Sequence, residues 1–192
     1  MNDIEILQEM LISAVQVPLQ QGQGRPSVAL TDKQGDTTVE IKGLPHDSIV
    51  IRAEDFEDPL TVFKGSKGER KRADFVIVSN EDTRKWIICI ETQAGNYKLA
   101  AHVEEQLKGA QCFMSYCKCI GRSFWEWEEF LGDYQYRFVS IVDINSNKET
   151  KKTRPYAPHI QSKGRLHDTP HAFLKILRSP SLHFRKLIFQ AS

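Results

Sequence analysis

Residues 72–93, RADFVIVSNEDTRKWIICIETQ, constrain the fold more than any other stretch of the chain. Asp74 opens a first apolar run, Phe75-Val76-Ile77-Val78. Glu91 closes a second, Trp86-Ile87-Ile88-Cys89-Ile90, and Gln93 follows two positions on. Between them Ser79-Asn80-Glu81-Asp82 is a turn cluster. Short apolar runs bounded by turn residues predict buried strands, and so short a connection pairs them antiparallel. Alternation puts Glu91 and Gln93 on one face and Thr92 on the other. The pairing brings Asp74 near Glu91, so two carboxylates converge at one end of an apolar ladder. Like charges at that range are costly unless a cation stands between them, and hard oxygen ligands suit Mg²⁺.

An acid at the head of one strand and E-x-K on the next resembles the PD-(D/E)XK nuclease superfamily, here at Ala73-Asp74 and Glu91-Thr92-Gln93. The resemblance spans residues 1–145 as an order of elements. It implies a restriction-endonuclease-like α/β (α+β) core, a central mixed sheet flanked by helices. It also implies Mg²⁺ or Mn²⁺ held by Asp74, Glu91 and the Thr92 carbonyl, and hydrolysis of phosphodiester bonds in nucleic acid, DNA ahead of RNA. Alanine stands in the place of the motif proline and Gln93 in that of the lysine, so Gln93 can orient a water but lends no ammonium charge. An inactive nuclease-fold module that binds nucleic acid or a protein partner is therefore the alternative reading. A third is an unrelated α/β module with two strand-end carboxylates. Some branches of the superfamily add a glutamate from the first helix, which singles out Glu5; an exposed acid in a helix's first turn, favoured by the macrodipole, is the preferred reading there.

Around this centre, 192 residues suggest one domain, 1–192, long enough to bury a core without disulfides or structural metal. The net charge of +1 decides nothing about nucleic acid. The early acids Asp3 and Glu5 do not fit a signal peptide, and no apolar run approaches membrane-spanning length. The expectation is a soluble cytoplasmic protein that does not enter a membrane, with a homodimer or larger complex left open.

Asn2 or Asp3 caps a predicted helix running to about residue 17, striped by Ile4, Leu7, Leu11 and Val15. Residues 28–30, 37–41 and 48–52 read as three short strands of a small antiparallel sheet preceding the core. The acidic cluster at 54–58 reads as a solvated loop rather than a further metal site. Residues 64–72 are the densest positive segment and lead straight into Asp74. Lys67, Arg70, Lys71 and Arg72 could contact phosphates there, or simply balance nearby acids in an exposed loop.

After residues 94–96 break the strand, a helix carries the stripe Leu99, Val103, Leu107, Ala110, Phe113 and Cys117, with Gln106 in its middle. A buried amide must be hydrogen-bonded. The resemblance to the RecB-like branch would place Gln106 near the metal, and a satisfied core amide explains it equally. Lys98, at the start of this helix, is the candidate to replace the missing lysine, since Lys108 falls on the opposite face; His102 lies at the stripe's edge. Cys112, Cys117 and Cys119 have neither a Cys-x2-Cys pair nor a nearby histidine, which argues against zinc. The aromatic-acidic segment 124–131 is expected to pack over the sheet. Residues 134–144 form a strong strand, completing the strand-strand-helix-strand order of the restriction-endonuclease-like core. Beyond it lie a basic, proline-rich loop at about 146–166, a short helix at 171–177 and an edge strand or helix at 181–189.

Overall fold

The computed structural model describes residues 1–32, 38–56, 63–81, 83–94, 99–143, 159–161, 166–177 and 181–188. Asn2 caps α1 (Asp3–Met10) with a full capping box. Its side chain accepts from the Glu5 N–H at 2.9 Å, and the Glu5 carboxylate accepts from the Asn2 N–H at 2.7 Å. The helix stops well short of residue 17. The Gln16 side-chain amide donates to the carbonyls of Gln8 (3.0 Å) and Leu11 (2.7 Å), and the Val17 N–H goes instead to the Val50 carbonyl at 2.8 Å. Those bonds trade another helical turn for a seat beside the sheet.

Strands β1 (Ser27–Thr31) and β2 (Thr38–Lys42) form an antiparallel pair, as their alternating burial dictates. The next strand, β3 (Asp47–Arg52), does not join them. It pairs with β4 (Phe75–Glu81), and β4 pairs with β5 (Arg84–Ala94), antiparallel in both cases. Four consecutive residues of β3, Ser48 to Ile51, are buried, as in a strand covered on both faces. Helix α2 (Ala100–Phe124) then crosses over to β6 (Gln135–Asp143), parallel to β5. The chain continues through β7 (His159–Gln161), β8 (Leu174–Leu177), β9 (Ser181–His183) and the one-turn α3 (Phe184–Leu187). The helix expected at 171–177 is a 3-10 turn at Pro170–Ala172 followed by β8, because Leu174 and Ile176 alternate inward with period two.

The described residues thus make an α+β fold with two mixed sheets. The larger has the order β3-β4-β5-β6-β8-β7; the smaller is β1-β2-β9, with β9 parallel to β2. The large sheet is covered on both sides. Val76, Val78, Ile87 and Cys89 pack against Ile4, Ile6 and Leu7 of α1 and Val103, Leu107, Ala110 and Phe113 of α2. On the reverse face Phe75, Ile77, Trp86, Ile88 and Ile90 pack against Val28, Leu30, Val39, Ile41 and Leu182 of the small sheet. Leu99 departs from the expected stripe, lying exposed at the N-cap of α2. Phe130 and Leu131 of the aromatic-acidic segment are buried, whereas Phe124 and Trp127 are exposed. Residues 146–158 and 162–165 of the basic loop lie outside the described residues; 159–161 form β7. No described helix is long and apolar enough to cross a membrane.

Candidate metal site at the end of the central hairpin

The hairpin register ends with Phe75 opposite Ile90, and Asp74 and Glu91 are the next residue along each chain. Ile87 and Cys89 belong to the helix-side cluster; by alternation Glu91 and Gln93 face α2, and Thr92 faces the small sheet with Ile88 and Ile90. Asp74 is held from two sides. Its Oδ2 accepts from the Thr92 N–H at 2.7 Å and from Thr92 Oγ1 at 2.6 Å, and its carbonyl accepts from the N–H groups of Ala53 (2.9 Å) and Glu54 (3.3 Å). Hydrogen bonds to an ionised carboxylate are short and strong, so Asp74 is fixed before any ligand arrives. Glu91 is fully buried, and Gln93 is nearly so. Gln93 Nε2 donates to Ser140 Oγ at 2.9 Å; Ser140 lies on β6, in register with Glu91.

The donor set is two buried carboxylates with backbone and side-chain oxygens beside them. Among the described residues no group of three or more His, Cys, Asp or Glu gathers to hold a metal. A pair of carboxylates is nevertheless the usual protein share for Mg²⁺, which keeps several waters of its own, whereas Zn²⁺ takes three or four protein nitrogens and sulfurs. Oxygen donors of this kind are those Mg²⁺ or Mn²⁺ takes, and they lack the nitrogens and sulfurs that zinc prefers. Cys112 and Cys119 are exposed on α2, and burial pushes the Cys117 thiol up to about 12.

Glu5 is not brought to this pair. It is exposed, engaged in its capping box, and follows Asp3, whose carboxylate pairs with Lys85 Nζ at 3.6 Å. Lys85 is six positions up β5 from Glu91, roughly 20 Å along a strand. The preferred first-turn reading of Glu5 matches this placement. Lys98 lies outside the described residues. Gln106 is half-buried and donates to the Arg72 carbonyl at a long 3.4 Å, so it braces the segment leading into Asp74.

That segment is tied to α2 more closely than the sequence suggested. A Cβ on Gly109 would fall 1.7 Å from the Lys71 carbonyl oxygen, so only glycine admits the backbone there. Lys71 Nζ pairs with Glu105 at 2.5 Å and lowers the Glu105 pKa. Arg72 donates to the carbonyls of Glu69 (3.1 Å) and Lys71 (2.6 Å) and lies 5.3 Å over the Phe56 ring. A Cβ on Gly65 would meet the Arg70 side chain. Lys67 is exposed, while its N–H and that of Gly65 donate to the Glu69 carboxylate. Lys71, Arg72, His102 and Gln106 border a cleft of about 380 Å³. Of the acidic cluster, Glu54 and Asp55 pair with Arg52 at 3.7 and 3.4 Å, and residues 57–58 lie outside the described residues.

Sequence reasoning passed over Ser140. Its signal was a hydroxyl inside the otherwise apolar run Phe138 to Val142, where a buried polar group demands a partner. No family model matches the chain, and no significant match was found among curated proteins or solved structures.

Proposed function

We propose that the protein is a metal-dependent nuclease, with Asp74 and Glu91 holding Mg²⁺ or Mn²⁺. The observation that carries this reading is a pair of buried carboxylates, Asp74 and Glu91, each one residue beyond the last β4–β5 pair, with Asp74 preset by two Thr92 donors. The element order α1, β3, β4, β5, α2, β6 supports it, since this is the order expected of a restriction-endonuclease-like core. The cation supplies a bound water of lowered pKa and stabilises charge on the phosphate. Gln93, anchored by Ser140, orients the nucleophile by hydrogen bonding. Lys67 at the surface and the cleft beside Lys71 and Arg72 offer contacts to the phosphate backbone.

A second reading, an inactive module that binds nucleic acid or a protein partner, is favoured by one observation: Gln93 brings a neutral amide, bonded to Ser140, where a lysine would bring charge. The experiment is cleavage of single- and double-stranded DNA and RNA with Mg²⁺ or Mn²⁺, comparing the natural protein with Glu91→Gln, alongside calorimetric titration of the metal. The nuclease reading expects a chelator-sensitive cut that falls at least about a hundredfold in the variant, a loss of several kcal/mol of transition-state stabilisation. Absence of both cleavage and metal binding sinks it. Salt-sensitive binding without cleavage selects the second reading.

A further inference from the structure

Arg137 is 1 % exposed, in the third position of β6, with its side chain among the residues facing the small sheet. Nη1 donates to the Tyr136 carbonyl at 2.7 Å, and the guanidinium carbon lies 4.6 Å from the centre of the Trp86 ring. Nε and Nη2 are buried and meet no acceptor among the described residues; neither does the indole Nε1 of Trp86, itself 1 % exposed. These two guanidinium nitrogens are not an arbitrary pair. Nη1 is cis to Cδ, so Nε–H and Nη2–H point the same way and form the side-on edge that matches two oxygens of one oxyanion. Arginine keeps its charge when buried, and an uncompensated buried charge is among the most unfavourable features a fold can carry. Among the described residues the charged neighbours within Coulombic reach are the exposed Asp168 and Arg84, of opposite sign, while burial keeps nearby His167 towards its neutral form.

We propose that the side-on edge of Arg137, backed by Trp86, is a binding site for a single oxyanion of the phosphate class. The site lies on the opposite face of the sheet from Glu91 and three register positions away, so it stands independently of the nuclease reading. A phosphate group reaching it is free inorganic phosphate or the monoester of a nucleotide, and both offer the same two oxygens.

The test is thermal unfolding of the full chain in inorganic phosphate against chloride at matched ionic strength. In phosphate at a hundredfold excess over Kd the natural protein gains about 5–10 °C in midpoint. Arg137→Met loses that gain and is no less stable than the natural protein in chloride, because the buried charge has gone. Arg137→Lys also loses most of it, since an ammonium has no two-donor edge. Should Arg137→Met fail to fold, the surface variant Arg84→Gln carries the test through a several-fold rise in the phosphate Kd. A parallel titration with adenosine monophosphate separates the sources: tighter binding than phosphate marks a nucleotide, equal binding a free ion. The proposal is overturned if phosphate leaves the natural protein's midpoint unchanged. It is overturned equally if Asp168→Asn and Arg137→Met both destabilise the protein in chloride, because the edge then belongs to an internal ion pair.

Discussion

Gly109 shows how far a single residue governs the site without touching it. The contact it permits, α2 against the Lys71 carbonyl, holds the segment from which Asp74 enters β4. Gly109→Ala gains up to about 1 kcal/mol of helix propensity and loses more to overlap with backbone that has no free end to swing away. We expect a net destabilisation of about 1–3 kcal/mol by urea unfolding. We also expect weaker metal binding, because Asp74 shifts with Lys71. At this scale the sequence was informative where chemistry and periodicity coincided: Glu91 and Gln93 lie two apart on β5, as the alternation required. It was silent on Gly109, whose role depends on a neighbour distant in sequence. It left two readings of Lys71 and Arg72 open, phosphate contact or balance of nearby acids, and the Lys71–Glu105 pair and the Arg72 bonds to backbone carbonyls are contacts it did not specify.

Between elements, His167 fastens the end of α3 to the main sheet. Its carbonyl accepts from the Phe138 N–H at 2.9 Å, and its ring Nε2 lies 2.7 Å from the Leu187 carbonyl. A carbonyl only accepts, so Nε2 carries the proton. Burial lowers the His167 pKa, the Leu187 bond opposing it. Below about pH 6.5, the ordinary histidine value, the unfolded chain takes up a proton that the folded one resists, so stability falls as pH falls through that window. The slope for one proton is at most about 1.4 kcal/mol per pH unit. Unfolding midpoints between pH 7.5 and 5.5 should decline, and His167→Asn should flatten the decline; an unchanged slope in the variant rejects the assignment. Strands β1 through β6 were legible in sequence, β1 and β2 by alternation and β3 through β6 as short apolar runs between turn residues. The end of α1 and the change from 3-10 turn to β8 were not, because each is decided by bonds to remote strands.

Over the whole molecule, three layers share two cores, and the small sheet covers one of them with few residues of its own. Leu182, 3 % exposed in the three-residue β9, is placed to seal that core. Leu182→Ala should cost about 2–5 kcal/mol with little change in denaturant m-value, as expected for a cavity rather than a changed unfolded state. The division of three early strands between two sheets was beyond sequence reading, since the pattern within β3 tells its burial and not its neighbour. The parallel seam of β2 with β9, Ile41 against Leu182, also has a consequence in time. A ribosome delivers β2 early and β9 only after the other eight described strands have emerged. Throughout synthesis, then, the outer edge of β2 is an open template for a wrong partner. The last seam to close also spans the greatest loop, which makes it the slow, aggregation-exposed step of folding.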